Sequence, residues 1–255
     1  MKFIDTHTHL YLPEFDADRD ESVKRAVDSG IVKMMLPNID IHSVGPMMSA
    51  VARYPGICYP MIGLHPTSVK QDYLDQLDIL EKVYSDFDFR AIGEIGIDLY
   101  WDKSFLNEQL IAFRRQISFA LERNLPVVLH SRESFPEVFS VLDEFKGKGL
   151  KGVFHAFTGN LEEAQKAIGL GFKLGIGGIV TYKNSGLDKI VKEIGSHNLI
   201  LETDSPYLAP VPHRGKRNES SYICIINKKL AEISGIDEER IAEITYSNSV
   251  ELFNV

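Results

Sequence analysis

The sequence predicts a closed (β/α)8 TIM barrel, a single α/β domain over residues 1–255, and three observations carry that expectation. Apolar runs of strand length alternate with helical segments eight times along the chain. The runs are apolar throughout, as parallel strands covered on both faces are. No Pro-, Gly- or Ser-rich linker, internal repeat or low-complexity tract divides the chain. A doubly wound open sheet is the competing arrangement. Its dinucleotide fingerprint fails, because Gly175-Ile-Gly177-Gly178 lacks the third glycine two residues further on.

The elements follow in order. Phe3–His9 reads as a short buried strand, and residues 18–29 as a helix stopped by Gly30. Residues 32–37 (VKMMLP) form a second strand, 41–53 a helix ended near Pro55-Gly56, and 57–64 a third strand closing on His65-Pro66. Residues 74–85 are amphipathic, and 89–95 give strand four. The clearest helix is 105–123, where Leu106, Leu110, Phe113, Ile117, Ala120 and Leu121 recur at helical spacing. Strand five is 126–129, ending at His130; a helix over 137–145 and a strand over 152–154 lead to His155. Asn160 caps the next helix, with Glu163 at the capping-box position. Strand seven is 172–176, a helix covers 187–195, strand eight is 199–203, and the tail from about Ser220 holds one or two helices.

Hydrophobic residues make up 44% of the chain and charged residues 25%, ordinary for a globular protein with ample core. The net charge of −8 removes any general attraction to nucleic acid, so a polyanion must be met by a local basic patch. Cys58 and Cys224 lack metal-type spacing and read as buried thiols in a reducing compartment. The sequence enters a strand without a basic-then-apolar leader, and no apolar run reaches the roughly 18 residues of a membrane span. The expected location is the cytoplasm, with no membrane partner.

Chemistry concentrates at strand ends. His7 and His9 share a strand face about 6.6 Å apart along the backbone, which suits two nitrogen ligands on one divalent metal. Alone this is weak, since histidine pairs at that spacing arise by chance in a chain with 8 histidines. The other donors strengthen it: His65 ends strand three, Glu94 lies on strand four, and His130, His155 and Asp204 end strands five, six and eight. Barrel enzymes place their chemistry on that face. His7, His9, Glu94, His130, His155 and Asp204 exceed one tetrahedral site, which implies two divalent metal ions, Zn, Mn, Co or Mg. Glu94 is expected to bridge them, with His7, His9 and Asp204 on one ion and His130 and His155 on the other.

Five segments then carry a resemblance: Asp5-Thr-His-Thr-His9, Ile92-Gly-Glu-Ile-Gly-Ile-Asp98, Leu125-Pro-Val-Val-Leu-His-Ser-Arg132, His155-Ala-Phe-Thr-Gly159 and Leu201-Glu-Thr-Asp-Ser-Pro-Tyr-Leu208. In this order, from residue 3 to the end, the chain resembles the TatD family of metal-dependent deoxyribonucleases in the amidohydrolase-like superfamily. The resemblance implies a barrel hydrolase acting on DNA, with metal ligands at the positions above. One departure is Ser220-Ser221, where the family usually carries Pro-Ala or similar, in a loop expected to border the substrate.

Two metals can activate a water and neutralise a phosphodiester. Asp204 is expected to act as general base, with Glu94 as the other catalytic carboxylate and Glu202 one layer deeper. His65, Arg132, Arg214 and Asn218 are candidate substrate contacts, the arginines for phosphate oxygens. Tyr100-Trp101 offers either a stacking surface for a base or buried packing. The expected activity is a deoxyribonuclease, an exonuclease on single-stranded DNA or an end. The alternative keeps the dinuclear site for a small-molecule amidohydrolase or esterase. A non-catalytic metal or nucleic-acid binding module is disfavoured by the absence of a broad basic stripe.

Overall fold

The computed structural model describes residues 1–255. Strands β1 (Phe3–Asp5), β2 (Ile31–Pro37), β3 (Cys58–Met61), β4 (Ile92–Asp98), β5 (Val127–Arg132), β6 (Gly152–Phe154), β7 (Phe172–Ile176) and β8 (Leu199–Leu201) alternate with helices. These are α1 (Arg19–Asp28), α2 (Val44–Arg53), α3 (Tyr73–Tyr84), α4 (Leu106–Arg123), α5 (Phe135–Glu144), α6 (Leu161–Gly169) and α7 (Leu187–Ile194), while α8 (Ile223–Ser234) and α9 (Glu238–Phe253) follow β8. The parallel ladder runs in two arcs, β1 to β3 and β4 to β8. Short contacts join the arcs into the TIM barrel. At one seam Ile62 N–H donates to Ala91 O (3.1 Å) and Gly93 N–H to Ile62 O (2.8 Å). At the other, Thr6 N–H donates to Leu201 O (3.1 Å), and Thr8 bridges Ser205.

Inside the ring a cluster of nine buried residues includes Ile4, Met35, Met61, Val128, Val153 and Ile200, and Leu252 and Phe253 at the end of α9 belong to it. A far larger cluster of 51 buried residues fills the space between strands and helices. This two-layer core is what an all-apolar strand sequence requires.

The boundaries differ from the sequence reading where side chains compete with backbone. Helix α2 starts at Val44 rather than residue 41, because Asp40 Oδ1 accepts from the His42 and Ser43 N–H groups and holds them in a turn. Helix α5 starts two residues early, its first turn accommodating Pro136, whose missing N–H has no partner to lose there. Strand β4 continues to Asp98 instead of stopping at residue 95. Gly96 makes this possible: at φ +140°, a Cβ there would sit 2.0 Å from His130 O. Only glycine lets β4 press against β5 at that level. Strand β8 is shorter than expected because Thr203 N–H turns to the Asp5 carboxylate and Asp204 takes φ +55°. No helix is long and apolar enough to cross a membrane.

Candidate metal centre

The chain beyond β1 stays extended between its neighbours, with Thr8 N–H on Met35 O (3.1 Å), His9 N–H on Ser205 O (2.8 Å) and Asp204 N–H on His7 O (2.9 Å). That backbone puts both imidazoles on one face, their Nε2 atoms 3.3 Å apart. Beneath them the buried Asp5 carboxylate accepts from His7 N–H, Thr203 N–H and Thr203 Oγ1, fastening β1 to the end of β8. Burial pushes its pKa up to about 7 against these hydrogen bonds.

Glu94 lies at the centre. Its Oε2 is 3.2 Å from His7 Nε2, and its Oε1 is 2.8 Å from His130 Nδ1, 3.4 Å from His65 Nε2 and 3.8 Å from His155 Nε2. Burial works to raise its pKa, but the surrounding imidazoles hold it well below the usual carboxylate range. Asp204 behaves in the same way, with Oδ1 at 3.6 Å from both His9 Nε2 and His155 Nε2. Burial disfavours a proton on His130, yet Asp98 and Glu94 raise its pKa to about 9. Against the same burial, Glu202, Glu94 and Asp204 raise His155 to about 10. Without metal, these two rings hold protons.

The donors form three overlapping groups: His7 with His155 and Asp204, His7 with His9 and Glu94, and His65 with Glu94 and His130. In each, the ligand atoms lie within 4.8 Å of one another. No lysine or arginine reaches the carboxylates; every ion-pair partner of Glu94, Asp98, Glu202 and Asp204 is a histidine. Buried carboxylates whose only charge partners are imidazoles, in mixed nitrogen and oxygen sets, fit divalent transition metals.

The structure departs from the expected groupings. His155 falls with His7 and Asp204 rather than with His130, its ring stacked on His7 at 3.4 Å between centroids. His65, expected to touch substrate, takes the place beside His130, because Thr67 Oγ1 holds its Nδ1 at 2.7 Å and turns Nε2 inward. Asn218, expected as a substrate contact, is fully buried, its amide donating to Thr203 O (2.7 Å) and Tyr207 O (2.6 Å), so it fastens the loop after β8. Ser220, in the departing Ser-Ser pair, is also buried, against the Thr8 hydroxyl. Arg217 is occupied by Glu14 O and Asp18, so the basic run after β8 is smaller than its sequence.

Arg132 lines the cavity over the donors, about 670 Å³ in volume, whereas Arg214 stands outside its lining, 4.5 Å over the Tyr182 ring. Glu202 does lie behind the donors, 3.0 Å from His155 Nδ1. Two contributors escaped the sequence reading. Asp98 Oδ2 is 2.8 Å from His130 Nε2; its signal was the spacing from Glu94, four residues along one strand face. Tyr11 Oη is 3.1 Å from His9 Nδ1, a contact no spacing rule signals.

A parallel barrel with histidines and carboxylates converging at its strand ends defines a metal-dependent hydrolase. The TatD related DNase family profile matches residues 4–254, and the chain belongs to the TatD family. It is 36% identical, over 98% of both chains, to YabD of Bacillus subtilis, described as an uncharacterized metal-dependent hydrolase. It is 31% identical to the 3'-5' ssDNA/RNA exonuclease TatD of Pectobacterium parmentieri, over 98% of this chain and 99% of that one. The crystal structure of YjjV, a TatD homologue of Escherichia coli K12, superposes with a TM-score of 0.92 at 29% identity, covering 99% of this chain and 98% of that one.

Proposed function

We propose that this hydrolase cleaves phosphodiester bonds of DNA from an end, as a two-metal exonuclease. The observation that carries the reading is the state of the arginines. Of eleven, nine lie within 4.0 Å of a carboxylate, leaving Arg132 and Arg214. Arg132 ends β5 at the donor cavity and Arg214 lies in the loop after β8, and both rest on an aromatic ring, Arg132 at 3.8 Å over Tyr100. A guanidinium stacked on one face and free of carboxylates keeps its edge donors for phosphate oxygens. The relative named as a 3'-5' ssDNA/RNA exonuclease supports the same substrate class.

In this reading His7, His9, His155 and Asp204 would hold one ion and His65 and His130 the other, with Glu94 placed among both sets of donors. Divalent ions held there would lower the pKa of a water and set positive charge opposite the phosphodiester. The protein does the rest. Asp204, a carboxylate facing the cavity and ionised across the neutral range, accepts the proton of the attacking water at a carboxylate oxygen. Glu202 and Asp98 orient His155 and His130 from behind. Arg132 draws the phosphate against the donors.

The test is hydrolysis of end-labelled single-stranded DNA with Zn, Mn, Co or Mg and with a chelator, beside neutral esters and amides. Stepwise shortening that stops with chelator and returns with metal is expected. Turnover of an ester or amide without DNA cleavage would make this a small-molecule hydrolase, and full cleavage by metal-free protein would remove the mechanism.

A further inference from the structure

Trp101 is the only tryptophan in the chain, and 69% of its surface is exposed although it lines the cavity. Beside it Tyr100 is 49% exposed, the two rings meeting edge to face at 4.9 Å. Of the two arrangements open to this pair in the sequence, buried packing is therefore excluded. The turn is nevertheless fixed: Asp98 Oδ1 accepts from Tyr100 N–H (3.0 Å) and Trp101 N–H (3.1 Å), while Oδ2 faces His130 Nε2 at 2.8 Å. One carboxylate thus ties the exposed rings to a metal-facing imidazole. Arg132 completes the group, its guanidinium 3.8 Å from the Tyr100 centroid and 5.4 Å from that of Trp101.

We propose that the Tyr100-Trp101 turn is a base platform, on which an unpaired nucleobase of the substrate lies against Trp101 while Arg132 takes the adjoining phosphate. The proposal rests on the phosphodiesterase reading above and adds what the site recognises besides phosphate. An apolar peptide would use the rings and waste the cation; a bare phosphodiester would use the cation and waste the rings. A nucleotide needs both at this separation. Stacking accepts every base, since each has a π face, so the platform selects nucleotides without selecting sequence.

The lone tryptophan provides a direct readout. The metal-loaded protein is titrated with a phosphorothioate oligothymidylate and with an abasic oligomer of equal length, following Trp101 emission. Quenching by the first and not by the second is expected. In turnover, Trp101→Ala should raise KM for oligothymidylate about tenfold and leave KM for the abasic oligomer, which has no ring to stack, unchanged, with Trp101→Phe restoring most of the loss. Metal content equal to wild type shows that the variants are folded. Equal KM losses on both substrates, or DNA hydrolysis without quenching, would overturn the platform and leave the nuclease reading standing. A wild-type protein that turns over esters but no oligonucleotide would overturn that reading, and the platform with it.

Discussion

His9 offers Nε2 to the donor cluster because of what Tyr11 does on the other side of the ring. The Tyr11 hydroxyl donates to Pro37 O at 2.7 Å, and a carbonyl can only accept. The hydroxyl oxygen must therefore accept from His9 Nδ1–H at 3.1 Å, which leaves the lone pair on Nε2. Tyr11→Phe is expected to lower metal affinity by about 10–100-fold and to cost about 1–3 kcal/mol, because the Pro37 carbonyl loses its donor. Metal titration and denaturant unfolding of the same variant check both; unchanged affinity would detach Tyr11 from the centre. Asp204→Asn addresses the proposed base. The amide still offers an oxygen but accepts no proton, so metal content should be largely retained while turnover falls by about 100-fold or more. A near-normal rate would remove Asp204 as base.

At the level of elements, the strand ends carry the chemistry, and β4 with β5 is the sensitive pair. Gly96→Ala would drive a methyl group into His130 O and impose a backbone conformation that alanine resists. It is expected to cost about 3 kcal/mol or more and to disturb His130, measured as a lower denaturant midpoint together with weaker metal binding. Gly169, the last residue of α6, has open space around it, and Gly169→Ala should be neutral or slightly stabilising. The contrast marks what sequence could show. Strand count, order, and the placing of His7, His9, His155 and Asp204 just past strand ends, with Glu94 and His130 on β4 and β5, were legible, because periodicity and spacing report them. The Asn160–Glu163 capping box was equally legible and is present. The grouping of His65 with His130 was not, since it depends on the Thr67 hydroxyl fixing one ring. Nor was the burial of Asn218, since a polar residue in a loop looks the same whether it binds a ligand or its own backbone.

For the whole molecule, stability and metal content are linked through pH. His130 and His155 titrate in the folded, metal-free protein at about 9 and about 10, above the ordinary histidine value of 6.5. A folded pKa raised in this way gives stability that is fully present below pH 6.5 and is lost as pH rises through those values. The chelated protein should therefore lose denaturant resistance between neutral pH and pH 10. Metal reverses the sign, because it needs the lone pairs that the protons occupy, so binding at pH 7 should release protons and strengthen as pH rises. Unfolding series with and without chelator, and calorimetry in buffers of different ionisation enthalpy, would show it; a chelated protein whose stability is flat from pH 6.5 to 10 would refute the assignment. The Asp5–Thr203 fastening, between residues 198 apart, has a consequence during synthesis. A ribosome emits His7 and His9 early, but Asp204 and the strand that positions it emerge only after most of the chain. Nascent chains that have not yet reached Asp204 therefore lack an assembled centre. The hydrolase site is completed only when the ring is closed.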